Sequence, residues 1–281
     1  DIDHLAPNKL AKVLLVHLDD FNEGRFLLRS LRAVSRNKLV LIVKSNRFSN
    51  SPLSNSIHTP GLLNRDGLID HALQRAGVLR VGATDELFDY IDTLQKKKQL
   101  KGDKLAIISN SRGGAILAID RLLHDKGTLA ELSLETQQKL TSILPEYASA
   151  SNPVLLNPEL KAEQLKAVAS LLLKDNKIDA VLVVYTPGLG TNPDDNAFAL
   201  TELIRETNKT LFCSWMGEYS VQSARALLDQ HSIPNFDTPD NAIKAFMYMV
   251  SHTRTQELMR ETPDSVETLA EYSEQIAQLL P

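Results

Sequence analysis

The stretch Lys104 to Gly127 constrains the fold more than any other part of the chain. Leu105-Ala106-Ile107-Ile108 is a short apolar run, followed by the small, glycine-containing turn Ser109-Asn110-Ser111-Arg112-Gly113-Gly114. Ala115 to Asp125 then carries Ile116, Leu117, Ile119, Leu122 and Leu123 at helical spacing, with Gly127 placed to end the helix. This pattern predicts a strand, a tight loop and a helix. Such a unit aims the unpaired N–H groups at the start of the helix beyond the end of the strand, where they favour an anion. Glycines let the backbone approach that anion closely. The same pattern also serves merely to turn the chain, so by itself it leaves both readings open.

The rest of the chain repeats this alternation. Val13 to Leu18 and Leu39 to Val43 are nearly continuous apolar runs, which predict strands covered on both faces. Between them, Phe21 to Ser35 reads as a helix with Phe26, Leu27, Leu31 and Val34 on one side. A helix over Leu62 to Ala76, a strand at Val78 to Val81 and a helix over Ala83 to Lys97 with Thr84 as its cap complete the first unit. Gln95 to Asp103 is charged and predicts a linker. Beyond it come helices at Ser133 to Leu144 and Glu159 to Lys174, then the clearest strand, Ala180 to Val184, running into the turn Thr186-Pro187-Gly188. A helix at Asn196 to Thr207, a strand at Thr210 to Trp215, a helix at Ser220 to His231 and a long helix from Pro239 to Met259 follow, and Ser265 to Leu280 is amphipathic. Strands alternating with helices predict parallel sheets with right-handed crossovers.

Composition limits the function. A net charge of −4 with no basic stripe argues against a nucleic-acid partner, and no apolar run reaches membrane-spanning length. The single cysteine, Cys213, allows no intramolecular disulfide and fits a cytoplasmic location. His17 reads as a packed, hydrogen-bonded strand residue, and His4, His71, His124, His231 and His252 have no metal-ligand spacing with one another or with Cys213, so no metal site is expected. Cys213 reads as an inert thiol within a strand, Trp215 and Met216 as packing residues, and Glu218 as either a ligand contact or a helix start.

Several short sequences, taken in order, carry a family resemblance. They are Ser109 to Ala115 with Asp120, then Asn152-Pro153-Val154, Asp179 to Val183, Trp215-Met216-Gly217-Glu218, Ile233-Pro234 and Thr238 to Ala242. Earlier in the chain, Arg36-Asn37-Lys38 leading into Val40 to Ser45 resembles a "K-P-V-hydrophobic-K-S-G" stretch and Ser56-Ile57-His58-Thr59 an "S-S-H-T-G" loop, followed by Gln74 to Val78. In these residues the chain resembles the ADP-forming acyl-CoA synthetases, relatives of succinyl-CoA synthetase. Phe246 to Val250 and Arg260 to Pro263 are similar to the synthetase-like module of bacterial protein lysine acetyltransferases.

The resemblance implies an α/β fold of two tandem flavodoxin-like, three-layer α/β/α units with parallel sheets, the first truncated. Residues 1–98 would be the second half of a succinyl-CoA synthetase-like domain carrying the histidine loop. Residues 99–263 would be a second such domain, and 264–281 a helix leading to a missing domain. His58 would carry a phosphoryl group, and Asn110, Ser111, Arg112, Gly113, Gly114 and Ala115 would hold phosphate. CoA, ATP or ADP and Mg2+ are implied for the full protein, with no cofactor bound to this fragment. The implied partners are the missing CoA-binding and ATP-grasp domains, a small-molecule acyl-CoA or nucleotide, and an acetyltransferase domain. The rival reading is a non-catalytic module that senses acyl-CoA or nucleotide and regulates a fused acetyltransferase. Three residues depart from the family pattern: Arg112 replaces a glycine, Leu155 an aspartate and Pro60 a glycine.

Overall fold

The computed structural model describes residues 2, 8, 10–18, 24–45, 66–82, 90, 91, 93, 100–145, 148–188 and 190–260. His58 with its loop, Pro60, Thr84, most of the expected linker and the segment 264–281 lie outside the described residues.

Among the described residues there are two parallel sheets. The first contains β1 (Val13–Leu18), β2 (Leu39–Lys44) and β3 (Leu79–Val81) in that order. Val13 lies opposite Leu39, and Leu41 opposite Leu79. Helices α1 (Gly24–Ser35) and α2 (Asp66–Arg75) are its described crossovers. The second sheet runs β5 (Thr128–Leu129), β4 (Lys104–Ser109), β7 (Ala180–Tyr185), β8 (Thr210–Trp215), β9 (Asn235–Phe236), and β6 (Val154–Leu155) also pairs with β4. Its helices are α3 (Arg112–His124), α4 (Leu134–Ile143), α5 (Ala162–Lys174), α6 (Pro193–Leu203), α7 (Gln222–Gln230) and α8 (Pro239–Arg260), with a 3-10 turn at Glu218–Val221.

Alternation along the strands divides the core. In β7, Val181, Val183 and Tyr185 enter the core beneath α5, α6 and α7, whereas Ala180, Leu182 and Val184 enter the core beneath α3 and α8. Every residue of β7 and β8 is buried, as the continuous apolar runs require. The α8 side of this sheet shares its core with Leu41, Leu79, Val81 and Tyr90. Helix α8 therefore lies between the two sheets. Near its end, Met259 packs against Ser35 and Gly77, and a Cβ on Gly77 would come within 2.1 Å of the Met259 sulfur.

Three expectations need correction. Strand β1 is not covered on both faces: Leu15 is 44% exposed, because β1 is a sheet edge that pairs only with β2 among the described residues. Phe26 does not face inward and is 70% exposed, while Leu31 and Val34 on the same helix are buried. In α3 the larger apolar residues Ile116, Leu117 and Leu123 are exposed, and Gly114, Ala115, Ala118 and Leu122 form the buried face. The helix lies so close to the sheet that a Cβ on Gly114 would come within 2.8 Å of Val184 Cγ1, so only small residues fit the buried face of its first turns.

The opposite edge of the sheet is tied by Asp175. Its carboxylate accepts hydrogen bonds from the N–H groups of Lys177 (3.0 Å) and Ser133 (2.8 Å). Burial raises its pKa, but these N–H groups and the hydroxyls of Thr136 and Ser133 outweigh burial and hold it below the ordinary 3.8. A depressed carboxylate stabilises the fold fully above the unfolded pKa, and this contribution is lost as pH falls through the folded value. Asp175→Asn is expected to cost about 1–2 kcal/mol near neutral pH. The gap from wild type should narrow in urea melts repeated below about pH 3.8. An equal gap at every pH would remove the carboxylate's charge from the explanation.

Candidate functional site

The loop between β4 and α3 sits at the carboxyl edge of the second sheet, the edge where open parallel sheets bind ligands. Helix α3 begins at Arg112, three residues earlier than the spacing predicted, so Gly113 and Gly114 lie inside its first turn and not in the loop. Ser111 is the N-cap: its hydroxyl accepts the Gly114 N–H at 3.2 Å, and its carbonyl accepts the Ala115 N–H at 3.0 Å. The N–H groups of Arg112 and Gly113 have no hydrogen-bond partner among the described residues.

The two glycines differ in surroundings. Gly114 packs onto Val184, whereas among the described residues a Cβ on Gly113 would meet only the Ser111 hydroxyl, at 4.0 Å. Arg112, the preceding residue, is exposed. Among the described residues the geometry therefore offers two unpaired N–H donors and room above Gly113, with an exposed arginine next in sequence, a combination that favours an anion.

Of the six residues expected to hold phosphate, four have other attachments. Ser111, Gly114 and Ala115 complete the cap. Asn110 is buried, and its amide binds the backbone of Thr186 through both ends: Nδ2 donates to the Thr186 carbonyl at 2.8 Å, and Oδ1 accepts the Thr186 N–H at 2.9 Å. The loop thus stands next to the turn that follows β7.

That turn has its own supports. Tyr185 and Trp215 stack with ring centres 4.9 Å apart, and the Tyr185 hydroxyl donates to Thr191 Oγ1 at 2.9 Å. Pro187 lies against Gly217, which has φ +126° and where a Cβ would come within 2.8 Å of the proline ring. Glu218 opens the 3-10 turn at φ +44° and is exposed on a groove shared with Tyr219, Gln222, Arg225 and Asp237. Trp215 is a buried packing residue. Burial pushes the Cys213 thiol well above its ordinary pKa, so it stays protonated and inert. Among the described residues, no three His, Cys, Asp or Glu side chains converge as metal ligands, and no helix is long and apolar enough to cross a membrane.

Asn152 is a structural residue that the spacing did not single out. Its side chain accepts the Ile107 N–H at 2.9 Å and donates to the carbonyls of Leu105 (2.9 Å) and Ala130 (2.8 Å). It fixes the strand that leads into the site.

Comparison with known proteins agrees with this architecture. Residues 2–94 match the family described as succinyl-CoA ligase like flavodoxin domain. The chain is 28% identical over 281 residues to acetate–CoA ligase [ADP-forming] I of Archaeoglobus fulgidus, covering 99% of the chain and 40% of that protein. It is 26% identical over 264 residues to 4-hydroxybutyrate–CoA ligase [ADP-forming] of Nitrosopumilus maritimus, covering 93% of the chain and 37% of that protein. Among solved structures, the dinucleotide-forming acetyl-coenzyme A synthetase 1 of Ca. Korarchaeum cryptofilum in its apo form shares the fold. Its TM-score is 0.79 at 20% identity, over 92% of this chain and 57% of that one. The same synthetase in complex with phosphate and ADP also gives a TM-score of 0.79 at 20% identity, over 92% and 56%. The chain thus spans roughly two fifths of the length of the two curated relatives. These relatives are ligases and lend no support to the acetyltransferase likeness; in the structure Phe246, Met249 and Val250 are core residues. The order of short sequences, the two parallel sheets and these relatives together place the chain's similarity with the ADP-forming acyl-CoA synthetases.

Proposed function

We propose that the chain is part of an acid–thiol ligase that interconverts acyl-CoA, ADP and phosphate with a carboxylic acid, CoA and ATP. In this reading His58 carries the phosphoryl group and the start of α3 holds it. The observation that supports it is the open space over Gly113, with two unpaired N–H donors, in a chain whose relatives along almost its whole length are ADP-forming ligases.

The chemistry runs in three steps. A phosphate oxygen attacks the thioester carbonyl and expels CoA thiolate, leaving an acyl phosphate. An imidazole nitrogen of His58 then attacks phosphorus and releases the carboxylate. A β-phosphate oxygen of ADP finally takes the phosphoryl group and restores the imidazole. The chain's own part is to hold phosphoryl oxygens at fixed donors, which need no rearrangement as charge develops. The Arg112 guanidinium, where the family pattern has glycine, adds a cation at the same place. CoA, ADP and Mg2+ would be held largely by the CoA-binding and ATP-grasp parts of the ligase. Mg2+ would neutralise the charge of the nucleotide phosphates.

Acyl-CoA and labelled inorganic phosphate, supplied to the assembled ligase without ADP, should leave an acid-labile label on histidine. Chasing with ADP should move that label into ATP. A ligase that turns over acyl-CoA while no label ever reaches histidine would exclude the route. Complete inactivity would leave the chain a binding module.

A further inference from the structure

We propose that Asn110 is a positioning residue: it does not touch the anion but fixes the donors that do. This rests on reading the start of α3 as the phosphate site.

The amide of Asn110 faces the Thr186 peptide group and forms hydrogen bonds at both ends, 2.8 and 2.9 Å long. Asn110 is only 6% exposed. Turning the amide toward a ligand would leave a shielded backbone N–H and C=O without partners, which folded proteins avoid. The neighbouring Ser109, 1% exposed, adds a second tie. Its hydroxyl accepts the Ser111 N–H at 3.0 Å and has the carbonyls of Val184 (2.9 Å) and Ser111 (2.8 Å) within donating reach.

These bonds join residues adjacent to the donors. Ser111 is the cap, and Arg112 and Gly113 follow it directly. Thr186 precedes Pro187, whose ring closes on Gly217. The loops after β4, β7 and β8 are thereby connected in series at the carboxyl edge of the sheet. An N–H donor binds an oxyanion well only when it is held in place beforehand. Freeing Asn110 would let the cap, and with it the Arg112 and Gly113 N–H groups, shift relative to the rim. Removing the two bonds should weaken phosphate by about tenfold.

The test uses the full 281-residue chain, with inorganic phosphate as the probe and backbone and side-chain amide resonances as the readout. In the wild type, phosphate should move the Arg112 and Gly113 N–H resonances and leave the Asn110 side-chain NH2 in place. Asn110→Ala should weaken the phosphate response about tenfold while resonances remote from the loop stay where they were. Ser109→Ala, which cuts the neighbouring tie with little loss of volume, should act in the same direction and serves if Asn110→Ala does not fold. The proposal is overturned if the Asn110 NH2 moves as far as the helix donors, which would make it a ligand. It is also overturned if the variants bind phosphate as tightly as wild type, which would make the bonds purely structural. No response anywhere in the wild type would defeat the anion site itself, a result distinct from both.

Discussion

On the route proposed above, His58→Ala in the assembled ligase is expected to abolish phosphohistidine and to lower ADP-dependent acyl-CoA turnover by a factor on the order of 10^4 or more. Phosphoryl transfer through histidine needs a ring nitrogen with an available lone pair, and alanine offers none. Water or bound ADP could still attack the acyl phosphate, but without the covalent intermediate each attack must occur in one poorly arranged step. The sequence around His58 is rich in Ser and Asn, a polar composition in which substitution by alanine ordinarily costs little stability. The thermal midpoint should stay within about 1–2 °C of wild type, which separates lost chemistry from lost fold. Acyl phosphate should build up when the variant is given acyl-CoA and phosphate, because the first step does not use the histidine. A variant that makes ATP at the wild-type rate would remove His58 from the reaction.

The parts of this chain that the sequence makes legible are those governed by local pattern. Ala180 to Tyr185 is apolar throughout because both of its faces are covered, and it forms a buried strand with the expected bounds to within a residue. Helix α3 was harder to place, because Gly113 and Gly114 resemble turn residues until Ser111 is recognised as the cap. Its buried face was harder still. Periodicity gives weight to Ile116, Leu117 and Leu123, whereas close helix–sheet contact selects Gly114, Ala115 and Ala118. Asn110 and Asn152 could not have been assigned roles from spacing. The partner of Asn110 lies 76 residues away, and two of those of Asn152 lie 45 and 47 residues away, so only the folded sheet brings them together. The strand–loop–helix pattern put the loop after β4 on the carboxyl edge, where it lies, but it could not separate residues that face the opening from those that hold it in shape.

Asn152→Ala is expected to destabilise the second sheet by about 2–5 kcal/mol. The reason is a break in strand pairing. Strand β4 pairs with β5 only at Lys104 and Leu105, and with β6 only at Ile108 and Ser109. Between these two partners no backbone is available to the Ile107 N–H on that side, and the Asn152 carbonyl oxygen accepts it. The same side chain donates to Leu105 and to Ala130 at the end of β5, so one amide closes the gap between three strands. Alanine would leave the Ile107 N–H and the Ala130 carbonyl without partners, and both residues are buried. Leu105 is less affected, since its carbonyl also accepts the Ala130 N–H. Asn152→Asp should be at least as costly: it keeps the acceptor for Ile107 but turns a carboxylate oxygen toward two carbonyls. Urea unfolding of the three proteins measures the differences directly. Because β4 ends in Ser109 and leads into the α3 cap, weaker phosphate binding should accompany the loss of stability. A change below about 0.5 kcal/mol for Asn152→Ala would mean that water replaces the amide and that the gap between β5 and β6 is not a structural weakness.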